Sequence, residues 1–205
     1  MKLLLVRHGE TEWNKLGKFQ GQSDISLNLR GMDQARETAQ ALASDQYVAL
    51  YSSPLCRTMQ VADEIARVIE TPVVPVRGLM EWDLGDLEGV TGAEMRADWP
   101  EVYASWRKDP GTTVMPNGES LAQLQKRAWQ AVLHLEQAHS EDDVVVAVSH
   151  NFAIRTIVGK LLGMPLSNFH RMVLNLASIC TIETETRGWR LVSYNSTGHL
   201  SPENR

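Results

Sequence analysis

The sequence has little cysteine: Cys56 and Cys180 are the only two in 205 residues. They form no C-x-x-C pair and cannot build a disulfide framework, so a reducing, cytoplasmic setting is the simplest expectation. Neither is followed by arginine at the sixth position, as a thiolate-based anion loop requires; Cys180 reaches one only at Arg187. Asp-x-Asp, Gly-x-x-x-x-Gly-Lys and Gly-x-Gly-x-x-Gly are all missing, which removes aspartyl nucleophiles, P-loops and dinucleotide folds from consideration. Basic charge is not in excess. The formal charge is -5, so no global field draws the chain to nucleic acid or an anionic membrane. No apolar run approaches the ~18 residues of a membrane span. The opening MKLLLV is apolar only from Leu3 to Val6, too short for the core of a leader peptide. Repeats, low-complexity tracts and domain-sized linkers are missing too, and a single domain over 1–205 is expected.

What is present is ordinary globular material, 43% apolar and 22% charged. Leu3 to Val6 reads as a buried strand ending at Arg7-His8, with a polar loop from Gly9 to about Ser26. Asn28 can cap a helix from Leu29 toward Ala43, with Ala35, Ala39 and Leu42 on one face. Val48 to Ser52 is a second strand. Pro54 suits the first turn of a helix carrying Val61, Ile65 and Val68. Val73, Val74 and Val76 suggest a third strand. The stretch 82–118 is less regular, with Trp82, Trp99 and Trp106 and prolines 100, 110 and 116. It is expected to be a small helical excursion that serves as a lid. Ser120 to Gln137 reads as helix. Val144 to Val148 is the clearest strand and ends in Ser149-His150. Phe152 to Leu162 returns to helix. Ser178–Glu185 and Arg190–Tyr194 read as an antiparallel pair turned at Arg187-Gly188. Alternating strands and helices imply an α/β fold: a mostly parallel central sheet flanked by helices in three layers.

Ligand crevices of such sheets lie beyond the carboxyl ends of the strands. Those ends carry Arg7 and His8, Arg57 just after the second strand, Glu81 soon after the third, and His150. If the strands are neighbours, the set suits phosphoryl transfer. Arginine forks hold the equatorial oxygens, a neutral imidazole attacks phosphorus, and a carboxylic acid protonates the leaving oxygen.

Here the residues resemble a known family. Leu5-Val6-Arg7-His8-Gly9-Glu10-Thr11-Glu12-Trp13-Asn14 is similar to the signature of the histidine phosphatase superfamily, in its phosphoglycerate-mutase-like branch. The resemblance continues in Phe19-Gln20-Gly21-Gln22-Ser23-Asp24, in Leu27-Asn28-Leu29-Arg30-Gly31 and in Tyr51-Ser52-Ser53-Pro54-Leu55-Cys56-Arg57-Thr58. It extends through Leu79-Met80-Glu81 with Gly85 and Glu88-Gly89, then Asn117-Gly118-Glu119-Ser120 and Val148-Ser149-His150. It implies His8 as the nucleophile and Glu81 as general acid and then base. Arg7, Arg57 and His150 would form the phosphate pocket, with Asn14 as a donor and the Gly21 backbone at its mouth. Asn151 stands where some relatives carry an acidic residue and many carry glycine. It cannot titrate, which strengthens Glu81 for the acid role.

The implied activity is phosphomonoester hydrolysis on a small metabolite, such as phosphoserine, a phosphoglycerate-type ester or a sugar or nucleoside phosphate. No cofactor and no metal are expected. His8, Glu10 and Glu12 alternate, but a glycine follows the histidine and no second pair has ligand spacing. A cofactor-dependent phosphoglycerate mutase is the alternative, though the segment from Glu88 to Gly118 is short and offers only Arg96, Arg107 and Lys108 as cations. A non-catalytic phospholigand-binding domain is a third reading. The resemblance is compatible with a homodimer. His134 and His139 read as solvated helix-end residues. The tail after Asn195 either approaches substrate, as a similar string in some relatives suggests, or stays disordered.

Overall fold

The computed structural model describes residues 1–205 apart from Asp45 and Arg187. The expected turn at Arg187 thus lies outside the described residues. One six-stranded sheet runs β3-β2-β4-β1-β5-β6. Its strands are β1 (Lys2–Arg7), β2 (Ala49–Ser52), β3 (Val73–Pro75), β4 (Val144–Ser149), β5 (Ile179–Glu185) and β6 (Gly188–Ser196). β1, β2, β3 and β4 are mutually parallel, and β5 and β6 join antiparallel at one edge.

The continuous apolar runs of β1 and β4 are explained by helices on both faces. Leu3, Leu5, Val145 and Ala147 point toward α6 (Leu121–Ala138) and α7 (Asn151–Leu161). Leu4, Val6, Val146 and Val148 point toward α2 (Leu29–Ala41) and α3 (Cys56–Ile69). These are the three layers. Asn28 caps α2 by accepting from the Gly31 N–H, and Ser120 caps α6 in a reciprocal box with Gln123.

The excursion contains α4 (Gly92–Asp98) and α5 (Pro100–Lys108). It is not loosely draped. Trp82, Leu84, Leu87, Met95 and Met115 are buried in the core that α6 and α7 share.

Several local expectations need correction. The loop after β1 holds a short helix, α1 (Glu12–Lys15), built on a Thr11–Asn14 capping box. Pro54 precedes α3 instead of opening it; Leu55 occupies the cap. Val68 is partly solvent-facing, and Val76 falls beyond β3. His139 is not solvated: its Nε2 lies 2.9 Å from the Tyr51 hydroxyl. The tail is docked on α2. Glu37 accepts from Ser201 N–H and Asn204 Nδ2, Gln34 Nε2 donates to the Asn204 carbonyl, and Leu200 is buried. No tail residue lines the site described below. Among the described residues no helix is long and apolar enough to cross a membrane.

Candidate active site

The parallel register places the chemistry. Arg7 pairs with Ser149 across β1 and β4, and the next step brings His8 N–H onto the Ser149 carbonyl at 3.1 Å. Ser52 pairs with Val148, and Ser53 N–H reaches the Val148 carbonyl at 2.9 Å. His8, Ser53 and His150 therefore emerge together at the carboxyl ends of three adjacent strands. His150 Nε2 lies 2.8 Å from Ser53 Oγ.

The His8 ring has a defined tautomer. Its Nδ1 lies 2.7 Å from the Gly9 carbonyl, which can only accept, so Nδ1 carries the proton. The ring lines the cavity, and no hydrogen bond among the described residues engages its Nε2 lone pair. Burial, and then the Arg57 and Arg7 guanidiniums, hold the His8 pKa well below its ordinary value. Burial and Arg57 do the same to His150. Both rings are neutral at physiological pH.

A close backbone approach seats this loop. A Cβ on Gly9 would lie 2.6 Å from the Gly31 carbonyl oxygen, and one on Gly31 would lie 2.1 Å from the Glu10 carbonyl oxygen. The two glycines, distant in sequence, are one contact between the loop that follows His8 and the start of α2.

Arg57 is fully buried at the start of α3. Its two terminal nitrogens donate to the carbonyls of Ser23 (2.8 Å) and Gly21 (2.7 Å). Glu88 holds that turn by accepting from Gln22 N–H and Ser23 Oγ. Gly21 has φ +52, and a Cβ there would strike the Glu88 carboxylate. Arg7 Nη1 donates to the Leu174 carbonyl at 2.5 Å. Burial lowers Arg7 to about 10, with Glu81 pulling the other way, so it stays charged at neutral pH. Arg7 Nε, Arg57 Nε and His150 Nδ1 are buried with no partner among the described residues.

Glu81 sits at the amino end of α7. Its Oε1 accepts from the N–H groups of Trp82 (2.9 Å), Phe152 (3.1 Å) and Ala153 (3.2 Å), while among the described residues Oε2 meets only Phe152 N–H. That helix end suits a carboxylate. Arg127 fixes the loop from below. It donates to the carbonyls of Gly78, Met80 and Glu81 and pairs with Glu119 at 2.6 Å.

Arg7, His8, Asn14, Gly21, Arg57, Glu81 and Asn151 all line one cavity of about 200 Å³. His150 lies just behind it, edge-on to His8. Asn14 Oδ1 is used in the α1 cap, so only its Nδ2 is available to a ligand. The sequence reading missed Lys18, Phe19, Gln20, Leu84 and Phe152, which also line the cavity. Phe19 and Gln20 belonged to a motif already noted, but nothing local distinguished Phe152 from a core phenylalanine. Cys56 is no rival nucleophile, since burial and then Asp24 push its thiol up to about 11. Among the described residues no three His, Cys, Asp or Glu side chains gather where they could hold a metal ion.

Comparison with known proteins gives this geometry its relatives. The model of the histidine phosphatase superfamily (branch 1) matches residues 3–197. Phosphoserine phosphatase 1 of Hydrogenobacter thermophilus is 36% identical over 200 residues, covering 98% of this chain and 94% of its own. Phosphoserine phosphatase of Entamoeba histolytica, solved in complex with 3-phosphoglyceric acid, superposes with TM-score 0.86 at 35% identity, covering 98% and 99% of the two chains. A mycobacterial glucosyl-3-phosphoglycerate phosphatase, solved with VO3, gives TM-score 0.87 at 30% identity, covering 96% and 99%. The chain belongs to the histidine phosphatase superfamily, branch 1.

Proposed function

We propose that the protein hydrolyses a small phosphate monoester through a phosphohistidine on His8. One observation carries this reading: the His8 ring, whose Nδ1–H donates to the Gly9 carbonyl, presents its other nitrogen in the cavity it shares with Arg7, Arg57 and Glu81. The unpartnered Arg7 Nε, Arg57 Nε and His150 Nδ1 fit the need for several donors around a phosphoryl group. Asn14, Asn151 and the Gly21 backbone would complete that pocket.

The steps follow from the residues. The dianionic ester lodges its phosphoryl group among Arg7, Arg57 and His150. His8 Nε2 attacks phosphorus while the P–O bond to the leaving group breaks. Glu81, protonated in this step, gives its proton to the departing oxygen, and Oε2 is the atom with room to carry it. Glu81, now a carboxylate, then takes a proton from water as the water oxygen attacks phosphohistidine. Inorganic phosphate leaves and His8 is restored. No metal or cofactor is needed for either half.

A cavity of about 200 Å³ favours a compact substrate. The relatives named above act on or bind phosphoserine, 3-phosphoglycerate and a glucosylated phosphoglycerate. Phosphoserine and phosphoglycerate-type esters are therefore the first candidates, with sugar and nucleoside phosphates behind them. We read residues 1–205 as one working unit in which 82–118 is the lid. A cytoplasmic setting suits its two free thiols. The test is a panel of metabolite phosphates ranked by kcat/KM. Incubation with 3-phosphoglycerate, with and without 2,3-bisphosphoglycerate, accompanies it. Free phosphate from the preferred ester is the expected result. Isomerised phosphoglycerate without free phosphate would replace the hydrolase by a mutase.

A further inference from the structure

A second cleft lies on the lid side of the catalytic cavity. It encloses about 220 Å³ between the end of α5 and the 3-10 turn over Leu166–Arg171. Arg107 and Lys108 reach it from α5, Ser167 and His170 from the turn, and the rings of Trp106 and Phe169 form its apolar wall. Among the described residues three basic side chains line it and no carboxylate does. In a chain of net charge -5 this is a local exception. Among the described residues none of the three basic groups makes an ion pair. The neighbouring Asp109 carboxylate is turned onto its own loop, accepting from Gly111 N–H, Thr112 N–H and the Thr112 hydroxyl.

A plain structural role covers part of this. Cations in the last turn of a helix complement its dipole, and Arg107 and Lys108 stand there. That does not explain His170, which comes from a different element. An oxyanion in the cleft would meet the Arg107 and Lys108 charges together, with the Ser167 hydroxyl and the His170 imidazole beside them.

The cleft is also one aromatic layer from the chemistry. Trp106 packs on Phe169 (6.2 Å between centroids), Phe169 on Phe152 (5.9 Å) and Phe152 on Trp82 (5.1 Å). Arg155 lies over both phenylalanine rings and donates to the Phe169 carbonyl. Phe152 lines the catalytic cavity, and the N–H groups of Phe152 and Trp82 hold Glu81.

We propose that this cleft is a second anion-binding site for a carboxylate or phosphate group. The group is borne either by the far end of a substrate's leaving group or by a free metabolite. Either occupant would press on Phe169, and through Phe152 on the seat of Glu81.

The test is a binding titration that needs no turnover. The Trp106 indole N–H resonance is assigned by its loss in Trp106→Phe and followed in His8→Ala protein, with inorganic phosphate in one series and 3-phosphoglycerate in another. The expected result is a saturable shift that weakens about tenfold in an added Arg107→Gln/Lys108→Gln pair, which removes two charge-assisted contacts. Without ligand, the Trp82 indole resonance, inside the core, should coincide in the variant and its parent and report that the variant is folded. A shift with inorganic phosphate alone assigns the cleft to a free anion. A shift only with 3-phosphoglycerate assigns it to the far end of a substrate. A resonance that neither ligand moves at millimolar concentration, or that moves equally with Arg107 and Lys108 replaced, overturns the proposal. Since no arm reads catalysis, failure of the hydrolase reading would show separately in the substrate panel.

Discussion

The imidazoles of His8 and His150 meet edge to face at the ends of adjacent strands, their centroids 5.2 Å apart and their planes inclined by 63°. Both are buried beside Arg57 and Arg7, and burial leads the causes that keep both uncharged. In an unfolded chain each would titrate near pH 6.5. Below that value the unfolded state binds protons that the folded state refuses. Stability should therefore be full at neutral pH and fall as pH drops from the unfolded pKa toward the lower folded one. The slope should reach about 1.4 kcal/mol per pH unit for each ring. Urea denaturation between about pH 7 and pH 5 measures it, and His150→Asn should flatten the curve. A slope unchanged by that replacement would show that other groups govern it.

His8→Ala should lower turnover by at least about a thousandfold, as expected when a covalent nucleophile is removed. Acid quench of wild type with labelled substrate should trap an adduct that is labile in acid and stable in base. An acid-stable adduct would move the nucleophile elsewhere.

Glu81→Gln keeps the shape and the accepting oxygen of the side chain but cannot give up a proton. The rate with an alkyl ester such as phosphoserine should fall about a hundredfold or more. The loss in the phosphorylation step should be much smaller with para-nitrophenyl phosphate, whose leaving group departs without a proton. Equal losses on both substrates, read from the burst of nitrophenol, would argue that Glu81 only positions its neighbours.

Arg127→Met removes the donor shared by the carbonyls of Gly78, Met80 and Glu81 and leaves Glu119 unpaired. The cost should be about 3 kcal/mol, because buried acceptors and a partly buried charge lose their partner together. Chemical denaturation gives the number. A cycle with Glu119→Gln separates the ion pair from the carbonyl contacts.

Activity should survive exhaustive treatment with EDTA. Recovery of a lost rate on adding back one divalent cation would require a metal step that the proposed route through His8 does not contain.

What was legible in the sequence was local or periodic. The five apolar residues of β4, the Asn28 cap and the apolar stripe of α6 each declare themselves within a few residues. The cavity residues of the first motifs were legible because Arg7, His8, Asn14 and Gly21 stand in strings that resemble a family. What stayed hidden depends on contacts between distant segments. Phe152 looks like any helical phenylalanine until the turn over Leu166–Arg171 stacks on it. Arg127 looks like a surface residue of α6, since nothing nearby announces three carbonyls from another loop. The sequence leaves the tail open between an approach to substrate and disorder because its partners, Gln34 and Glu37, are on a helix formed far earlier in the chain.

The strand order also governs when the enzyme can work. β4 lies between β1 and β2, so the strand made fourth separates and aligns two made much earlier. A nascent chain that has emerged only as far as Glu119 already carries His8, Arg57 and Glu81, yet the ladder that holds them at one level is still unmade. Competence to cleave esters is therefore delayed until late in translation. Fragments from premature termination would inherit His8, Arg57 and Glu81 without their alignment.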